Sequence, residues 1–169
     1  MGKQIVIGLY GKPRSGKSTI ADYLKKKYGF RQYEMSGPIV KDAQKMLAAI
    51  DLKFDVRHKE DFRLLLQFLG HYRRLDNPYY WVDKVLEEEV APPAVVAGIR
   101  YLGDVERIKQ KGGRLWKISR KLAANADTAP TETQLDNYQG WDAVISNNGT
   151  LPQLYRKVDK LIAQLKSEK

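Results

Sequence analysis

The segment from Gly11 to Ser18 constrains this chain more than any other, because its sequence GKPRSGKS has the spacing G-x-x-x-x-G-K-[ST]. The apolar run Lys3–Leu9 before it predicts a buried strand, and apolar residues at helical spacing follow it over Ser18–Tyr28. A strand, a glycine-rich loop and a helix in this order direct successive backbone N–H groups, and the positive end of the helix dipole, into one concavity. Such a concavity binds phosphate groups. The segment therefore predicts a phosphate-binding loop for a nucleoside triphosphate.

The residue types of this loop match the chemistry of phosphate binding. Glycines let the backbone approach phosphate oxygens, Lys17 supplies a mobile cation to the outer phosphates, and the hydroxyl of Ser18 suits Mg²⁺. Ser18 is thus the predicted metal ligand. The alternative interpretation is a surface turn rich in glycine and lysine. The residues predicted to contact the triphosphate are Gly11, Lys12, Arg14, Ser15, Gly16, Lys17, Ser18 and Thr19.

Strand and helix patterns alternate along the whole chain. Short apolar runs predict strands at Lys3–Leu9, Phe30–Met35, Ala94–Ile99, Arg114–Ser119 and Asp142–Ser146. Helical spacing predicts helices at Ser18–Tyr28, Pro38–Ile50, Asp61–Asp76, Pro78–Val90, Asp104–Lys111 and after the cap residue Thr150. No repeat or Pro/Gly-rich linker divides the sequence, so we expect residues 1–169 to form one domain. The alternation predicts an α/β fold in which helices cover both faces of a mostly parallel sheet.

The charge balance favours anionic partners. The chain has 30 Lys and Arg against 20 Asp and Glu, a net charge of +10, which suits nucleic acids, nucleotides or other phosphate esters. The absence of cysteine excludes disulfides, a thiol nucleophile and Cys-ligated zinc, and it suits the cytoplasm. Only His58 and His71 are present, so no histidine-rich metal site is expected. No apolar run approaches the roughly 18 residues of a membrane span, so no membrane partner is expected.

One predicted helix, Asp61–Asp76, has a polar stripe. Arg63, Gln67, Gly70 and Arg74 fall within about 60° of one another on a helical wheel. We interpret this stripe either as one wall of a cleft for a planar ligand that carries a phosphate, or as an ordinary solvated face. The opposite side, which the sequence predicts to be the core face, contains Leu65, Phe68, Leu69, Tyr72 and Leu75.

Arg100 follows the apolar run AVVAGI and lies at the carboxyl end of a predicted strand. Ligands of α/β sheets bind at these ends, so Arg100 is either a phosphate contact or a simple strand-end cation. Many enzymes with a phosphate loop place an aspartate at the end of a neighbouring strand to hold Mg²⁺. Here the corresponding residues are Ala97 and Gly98. Either another carboxylate substitutes, or Mg²⁺ is held by Ser18, phosphates and water alone.

Two further segments carry candidate ligand contacts. Arg120 begins a turn-prone stretch of small residues, about 120–133, which predicts either a cationic lid over the phosphates or a surface loop. Glu132 in this stretch is equally compatible with a first-turn helix acid. The cluster Tyr79–Trp81 can stack on a base or lie in the core.

Taken together, these residues resemble the bacteriophage deoxynucleoside monophosphate kinases, a branch of the P-loop nucleoside monophosphate kinases. The similarity runs in the family's order through GKPRSGKST, RLLLQFLG…RRLDNPYYWV, VVAGIRYLGDVERI, ISRK…TAPTET and DAVISNNGTLPQLYRKV. It leaves only Asp51–Glu60 and the last few residues unassigned. The resemblance implies the three-layer P-loop fold, with acceptor-binding helices within about 36–90 and a lid at about 120–133.

The resemblance also implies an acceptor site. Gly98 stands where the family's Asp-Val-Arg strand pattern has aspartate, so only the arginine of that pattern is matched. The residues that the resemblance implies for the acceptor nucleotide are Arg63, Gln67, Arg74, Trp81, Arg100 and Glu132.

The function expected from the sequence is transfer of the γ-phosphoryl group of ATP, with Mg²⁺, to a nucleoside monophosphate, which we expect to be a deoxynucleotide, to give the diphosphate. The alternatives are a kinase for another phosphorylated acceptor, such as dephospho-coenzyme A, and a basic nucleic-acid-binding protein that uses ATP as a switch. No basic tract interleaved with aromatic residues marks a nucleic-acid path, and a homodimer is compatible with the sequence. The candidate catalytic residues are Lys17, Arg14, Arg100 and Arg120.

Overall fold

The computed structural model describes residues 5–87, 93–123 and 133–168. Five strands form one sheet: β1 (Val6–Tyr10), β2 (Arg31–Glu34), β3 (Ala94–Ala97), β4 (Arg114–Ser119) and β5 (Ala143–Ser146). Their order across the sheet is β2-β3-β1-β4-β5. Because every pairing is parallel, the carboxyl ends of all five strands lie along one edge. The loops after the strands meet at that edge, where ligands of such sheets bind.

Helices follow the strands as the sequence predicts. The helices whose bounds lie within the described residues are α1 (Lys17–Tyr28), α2 (Ser36–Ala48), α3 (Arg63–Asp76), α4 (Tyr80–Glu87), α5 (Leu102–Gln110) and α6 (Leu151–Ser167). Short 3-10 turns occupy Val56–Phe62 and Lys121–Ala123. The predicted helix ends differ from these by a few residues, and residues 88–90 of the predicted fourth helix lie outside the described residues. None of the described helices is both long and apolar enough to cross a bilayer.

The core lies on both faces of the sheet. Successive residues of a strand point to opposite faces, so Ile7 and Leu9 of β1 face one side while Val6 faces the other. The first side is a buried cluster with α1 and α6 that includes Ile20, Ala21, Leu24, Leu154, Val158 and Ile162. The second is a buried cluster with α4 and α5 that includes Trp81, Val82, Val85, Val105 and Ile108. The predicted arrangement of helices on both faces of a parallel sheet is confirmed.

The structure orients α3 differently from the sequence prediction. Leu69, on the predicted core face, is buried, but so is Gly70 on the predicted polar stripe. The side chain of Arg74, also on that stripe, is only 8% exposed. The prediction that the stripe lies opposite the core is therefore wrong at these two positions. Three residues predicted to be in the core are instead more than half exposed: Phe68 at 53%, Tyr72 at 58% and Leu75 at 66%.

Partners from other elements explain this orientation. Gly70 has no side chain, and Ile39 Cδ1 of α2 lies 3.4 Å from the position that a Cβ would take there. The indole N–H of Trp81 in α4 donates to the main-chain oxygen of Gly70 at 3.1 Å. Arg74 is buried because Asp104 of α5 lies 3.1 Å from its guanidinium. A helical wheel places arginine at the surface by default, and it contains no information about a buried counter-ion.

Candidate phosphate-binding site

The loop between β1 and α1 has the backbone geometry of a phosphate-binding loop. Gly16 has a φ of +106°, which L side chains rarely adopt, and a Cβ there would lie 2.3 Å from Nδ2 of Asn147. A Cβ on Gly11 would lie 2.7 Å from the main-chain oxygen of Ile118. Both glycines of the motif are thus required by backbone conformation and close approach. The helix α1 begins directly after Gly16, so its unpaired N–H groups face the loop.

Lys17 folds back across this loop. Its Nζ donates to the main-chain oxygens of Gly11 and Lys12, the second at 2.9 Å. The buried hydroxyl oxygen of Ser15 has no hydrogen-bond partner among the described residues. The loop therefore has one cation bonded to its backbone and one buried hydroxyl.

The loop after β5 supports the phosphate loop from outside. Asn147 Nδ2 donates to the main-chain oxygen of Ser15 at 2.8 Å, and the Asn147 N–H donates to Ser119 at 2.8 Å. The next residue, Asn148, accepts the N–H of Lys121 at 2.8 Å. Neither asparagine is among the residues predicted from the sequence. Their signal was a polar pair directly after a strand, the same rule that singled out Arg100.

Arg120 is brought to the phosphate loop by the end of β4. Its Nη1 donates to the main-chain oxygen of Arg14 at 3.3 Å, so two candidate catalytic arginines lie beside each other. Arg120 is exposed and Lys121 begins a 3-10 turn. Most of the lid candidate, residues 124–132 including Glu132, lies outside the described residues.

A carboxylate beyond the lid candidate also bonds to the phosphate loop. Asp136 lies 2.6 Å from Nζ of Lys12 and accepts the hydroxyl of Tyr10 at 2.7 Å. Burial by itself would raise the pKa of Asp136, but the hydrogen bonds from Lys12 and Tyr10 outweigh burial and hold the pKa below its usual value. Asp136 is therefore ionised at neutral pH and ties the segment after the lid candidate to the loop.

The turn between β3 and α5, which bears Arg100, is held by one buried carboxylate. Asp104 is fully buried, and it accepts the backbone N–H groups of Arg100 at 3.0 Å and Tyr101 at 3.1 Å. The guanidinium of Arg74 pairs with the same carboxylate and lies 3.8 Å from the centre of the Tyr101 ring. Asp104 thus connects α3 to the turn that positions Arg100. Sequence reasoning did not identify it.

The remaining candidates of the acceptor site differ in exposure. Arg63 is half exposed at the start of α3, 3.7 Å from Glu60, and Gln67 is half-buried one turn later. Trp81 is completely buried, so this ring belongs to the core and supports α3 from behind. A hollow of about 250 Å³ between α2 and α4 lies within the predicted acceptor region and is lined by Pro38, Lys41, Asp42, Lys45, Lys84 and Glu87.

The described residues contain no cluster of three or more His, Asp or Glu that would hold a metal by themselves. β3 also ends without a carboxylate, at Ala97 and Gly98. Oxygen donors at the loop, the hydroxyl of Ser18 above all, fit Mg²⁺ bound mainly through phosphates and water.

Comparison with known proteins finds relatives in sequence and in structure. No protein-family model matches the chain. A protein of Acanthamoeba polyphaga mimivirus, named "Putative deoxynucleotide monophosphate kinase", is 25% identical over 186 aligned residues, which cover 91% of this chain and 94% of the viral protein.

Two solved kinases illustrate the structural likeness. Shikimate kinase from Acinetobacter baumannii, in complex with shikimate, matches with a TM-score of 0.62 at 12% identity, covering 99% of this chain and 96% of that one. Dephospho-CoA kinase from Campylobacter jejuni matches with a TM-score of 0.53 at 14% identity, covering 97% and 98%. At such identities the likeness shows the fold alone. The chain has the three-layer fold of the P-loop kinases, as its sequence predicts.

Proposed function

We propose that this chain is a kinase that transfers the γ-phosphoryl group of ATP to a deoxynucleoside monophosphate. The observation that carries the proposal is the complete phosphate loop at the carboxyl edge of the sheet, with Lys17 and Arg120 bonded to its backbone. The choice of acceptor is supported by the name of the mimivirus relative and by the resemblance of the middle and C-terminal blocks.

The donor side follows from the loop. The N–H groups of the loop and of the first turn of α1 would bind the outer phosphates of ATP. Lys17 would exchange its bonds to carbonyl oxygens for bonds to phosphate oxygens, and Arg14 and Arg120 would add positive charge beside the loop. Mg²⁺, when bound with ATP, neutralises charge between the outer phosphates, and Ser18 is the loop residue that fits as its ligand.

The chemistry needs position and charge more than a base. The phosphate oxygen of a nucleotide acceptor is already ionised near neutral pH, so no strong proton acceptor is required. Catalysis then rests on aligning the two phosphates in line and on stabilising the transferring group by cations. Lys17 and Arg120 supply those cations at the donor side.

On the acceptor side, we expect Arg100 to supply a cation. It follows β3 at the ligand-binding edge, and Asp104 fixes its backbone through the N–H groups of Arg100 and Tyr101. Arg63 and Gln67 on α3 would contact the rest of the acceptor. Arg74 would act through Asp104, because its guanidinium is already paired there.

An acceptor screen tests the proposal. The protein would be mixed with ATP and Mg²⁺ and with each deoxynucleoside monophosphate, each ribonucleoside monophosphate and dephospho-coenzyme A in turn, while ADP is followed. We expect ADP formation to depend on a deoxynucleoside monophosphate. Rapid turnover with dephospho-coenzyme A alone would assign the chain to that acceptor instead, and tight, salt-dependent DNA binding without turnover would favour a nucleic-acid-binding switch.

The variant Lys17→Ala tests the catalytic role of the phosphate loop most directly. Loss of a cation on the transferring phosphate is expected to lower kcat by about 10²–10³-fold. The matched control is Lys25→Ala, which removes the same charge from an exposed position later in α1 and should leave kcat unchanged. Turnover of Lys17→Ala within a few fold of the parent enzyme would refute the assigned role.

A further inference from the structure

The carboxyl end of β3 lacks a side chain, and a carboxylate from β2 lies in its place. A Cβ built on Gly98 would lie 3.7 Å from Oε2 of Glu34, and 4.0 Å from Cβ of Met35. The carboxylate of Glu34 is therefore in van der Waals reach of the position where a side chain of residue 98 would begin. Position 98 is the strand-end position at which many phosphate-loop enzymes carry an aspartate for Mg²⁺.

The register of the sheet places Glu34 on the same side as α1. Glu34 pairs with Ala97 in β3, and Ala97 pairs with Leu9 in β1, so the three side chains point to one face. Leu9 belongs to the buried cluster formed with α1. The same pairing register continues to the ends of these strands. The N–H of Met35 donates to the main-chain oxygen of Ala97 at 3.0 Å, and the N–H of Gly98 donates to that of Leu9 at 3.1 Å. Glu34 thus faces the side of the sheet on which α1 begins.

The backbone of Gly98 explains why the carboxylate comes from elsewhere. Its φ of +81° is a conformation that L side chains rarely adopt, so an aspartate at this position would be strained. Glu34 reaches the end of β3 from the neighbouring strand, about 4.8 Å away, with one more methylene than aspartate has.

We propose that Glu34 holds the Mg²⁺ of the ATP complex, in place of the strand-end aspartate that Gly98 lacks. The inference rests on the proposed function, since it concerns the metal that accompanies ATP. Mg²⁺ prefers oxygen ligands, keeps several of its waters, and is usually bound by one or two carboxylates together with substrate phosphates. Ser18 at the start of α1 and Glu34 at the end of β2 supply that combination of a hydroxyl and a carboxylate.

The test measures ATP binding without turnover. Calorimetry gives the Kd of ATP in EDTA and with saturating Mn²⁺, a probe that accepts the same oxygen ligands. The Kd in EDTA divided by the Kd with Mn²⁺ reports how much the metal strengthens ATP binding. We expect Glu34→Gln to lower this ratio about tenfold or more, as is typical for groups that orient a bound metal. Its ATP affinity in EDTA should stay the same or become tighter, because a negative charge is removed.

Two further variants separate a metal role from a structural one. Asp22→Asn removes one negative charge from an exposed position on α1 and should leave the ratio within twofold of the parent value. Glu34→Asp keeps the carboxylate on a shorter stem and should recover part of the ratio that Glu34→Gln loses.

The outcomes distinguish this inference from the proposed function. If Glu34→Gln keeps the parent ratio while the parent protein binds ATP more tightly with Mn²⁺, the role of Glu34 is overturned and the kinase proposal stands. If the parent protein binds no ATP with or without metal, the kinase proposal fails and this inference fails with it.

Discussion

The phosphate loop and α3 differ in where their structure comes from. In the loop, Gly16 takes a positive φ that glycine allows, and Lys17 bonds to carbonyls five and six residues earlier in the chain. In α3, Arg74 is buried by Asp104, which lies 30 residues later. A short motif therefore specifies the loop, whereas the face that α3 buries depends on a partner that only the tertiary fold supplies.

Long-range contacts exist at the loop too, but they have a different effect. Asn147 bonds to Ser15 across 132 residues, and Asp136 bonds to Lys12 across 124. Both partners bind the outside of a loop whose course the glycines already determine. Removing such a contact should weaken the loop, whereas removing Asp104 should disturb the packing of α3 itself.

The largest effect is expected from Asp104→Ala. This variant leaves the guanidinium of Arg74, only 8% exposed, without its counter-ion, and it frees the N–H groups of Arg100 and Tyr101. Breaking a buried ion pair by removing one partner costs about 3–5 kcal/mol. Chemical denaturation should show this loss in the free energy of unfolding.

A double variant sharpens that result. Replacing Asp104 and Arg74 together by leucine removes both charges, so part of the lost stability should return. A loss below about 1 kcal/mol in Asp104→Ala would mean that the pair does not determine the orientation of α3.

A smaller, pH-dependent effect is expected from Asp136→Asn. Folding lowers the pKa of Asp136, so its ionised form stabilises the folded state above the usual carboxyl pKa of about 4. This contribution is lost as the pH falls through the lowered pKa. The carboxylate is 40% exposed, so solvent screening limits the difference between parent and variant at pH 7 to about 0.5–1 kcal/mol.

Denaturation curves from pH 7 down to pH 3 would check this prediction. The difference in unfolding free energy between Asp136→Asn and the parent should shrink as the pH falls. A difference that grows toward low pH would contradict the lowered pKa. The ATP affinity of Asp136→Asn should change little at pH 7, because the contact between Asp136 and Lys12 does not determine the backbone conformation of the loop.

The smallest effect is expected from Phe68→Ala on the exposed face of α3. Phe68 is 53% exposed, and the centre of its ring lies 4.6 Å from the centre of the Tyr72 ring, which is also exposed. Truncation should change the unfolding free energy by about 0.5 kcal/mol or less. Leu69→Ala, at the adjacent buried position, should cost about 2–5 kcal/mol. Equal costs at the two positions would restore the orientation predicted from the helical wheel.

Sequence patterns predicted the layers of the fold well, but they did not predict which of the acceptor-site candidates are buried. Apolar runs such as Ala94–Ile99 identify buried strands because both faces of a parallel sheet are covered by helices. Trp81 and Arg74 have no such signature: an indole or a guanidinium can lie in a cleft or in the core, depending on the neighbours. Asn147 bears on the loop only because β5 ends beside it, which strand order decides.

The sequence by itself determines that a phosphate loop lies between a buried strand and a helix. It can do so because the conformations of glycine and the periodicity of apolar residues are local properties of a few consecutive residues. The three-dimensional fold alone decided which face of α3 is buried, that Arg120 reaches Arg14, and that Glu34 lies beside Gly98. These outcomes depend on which strands and helices become neighbours. The free-energy cost of burying a charge depends on whether a partner from a distant part of the chain lies beside it.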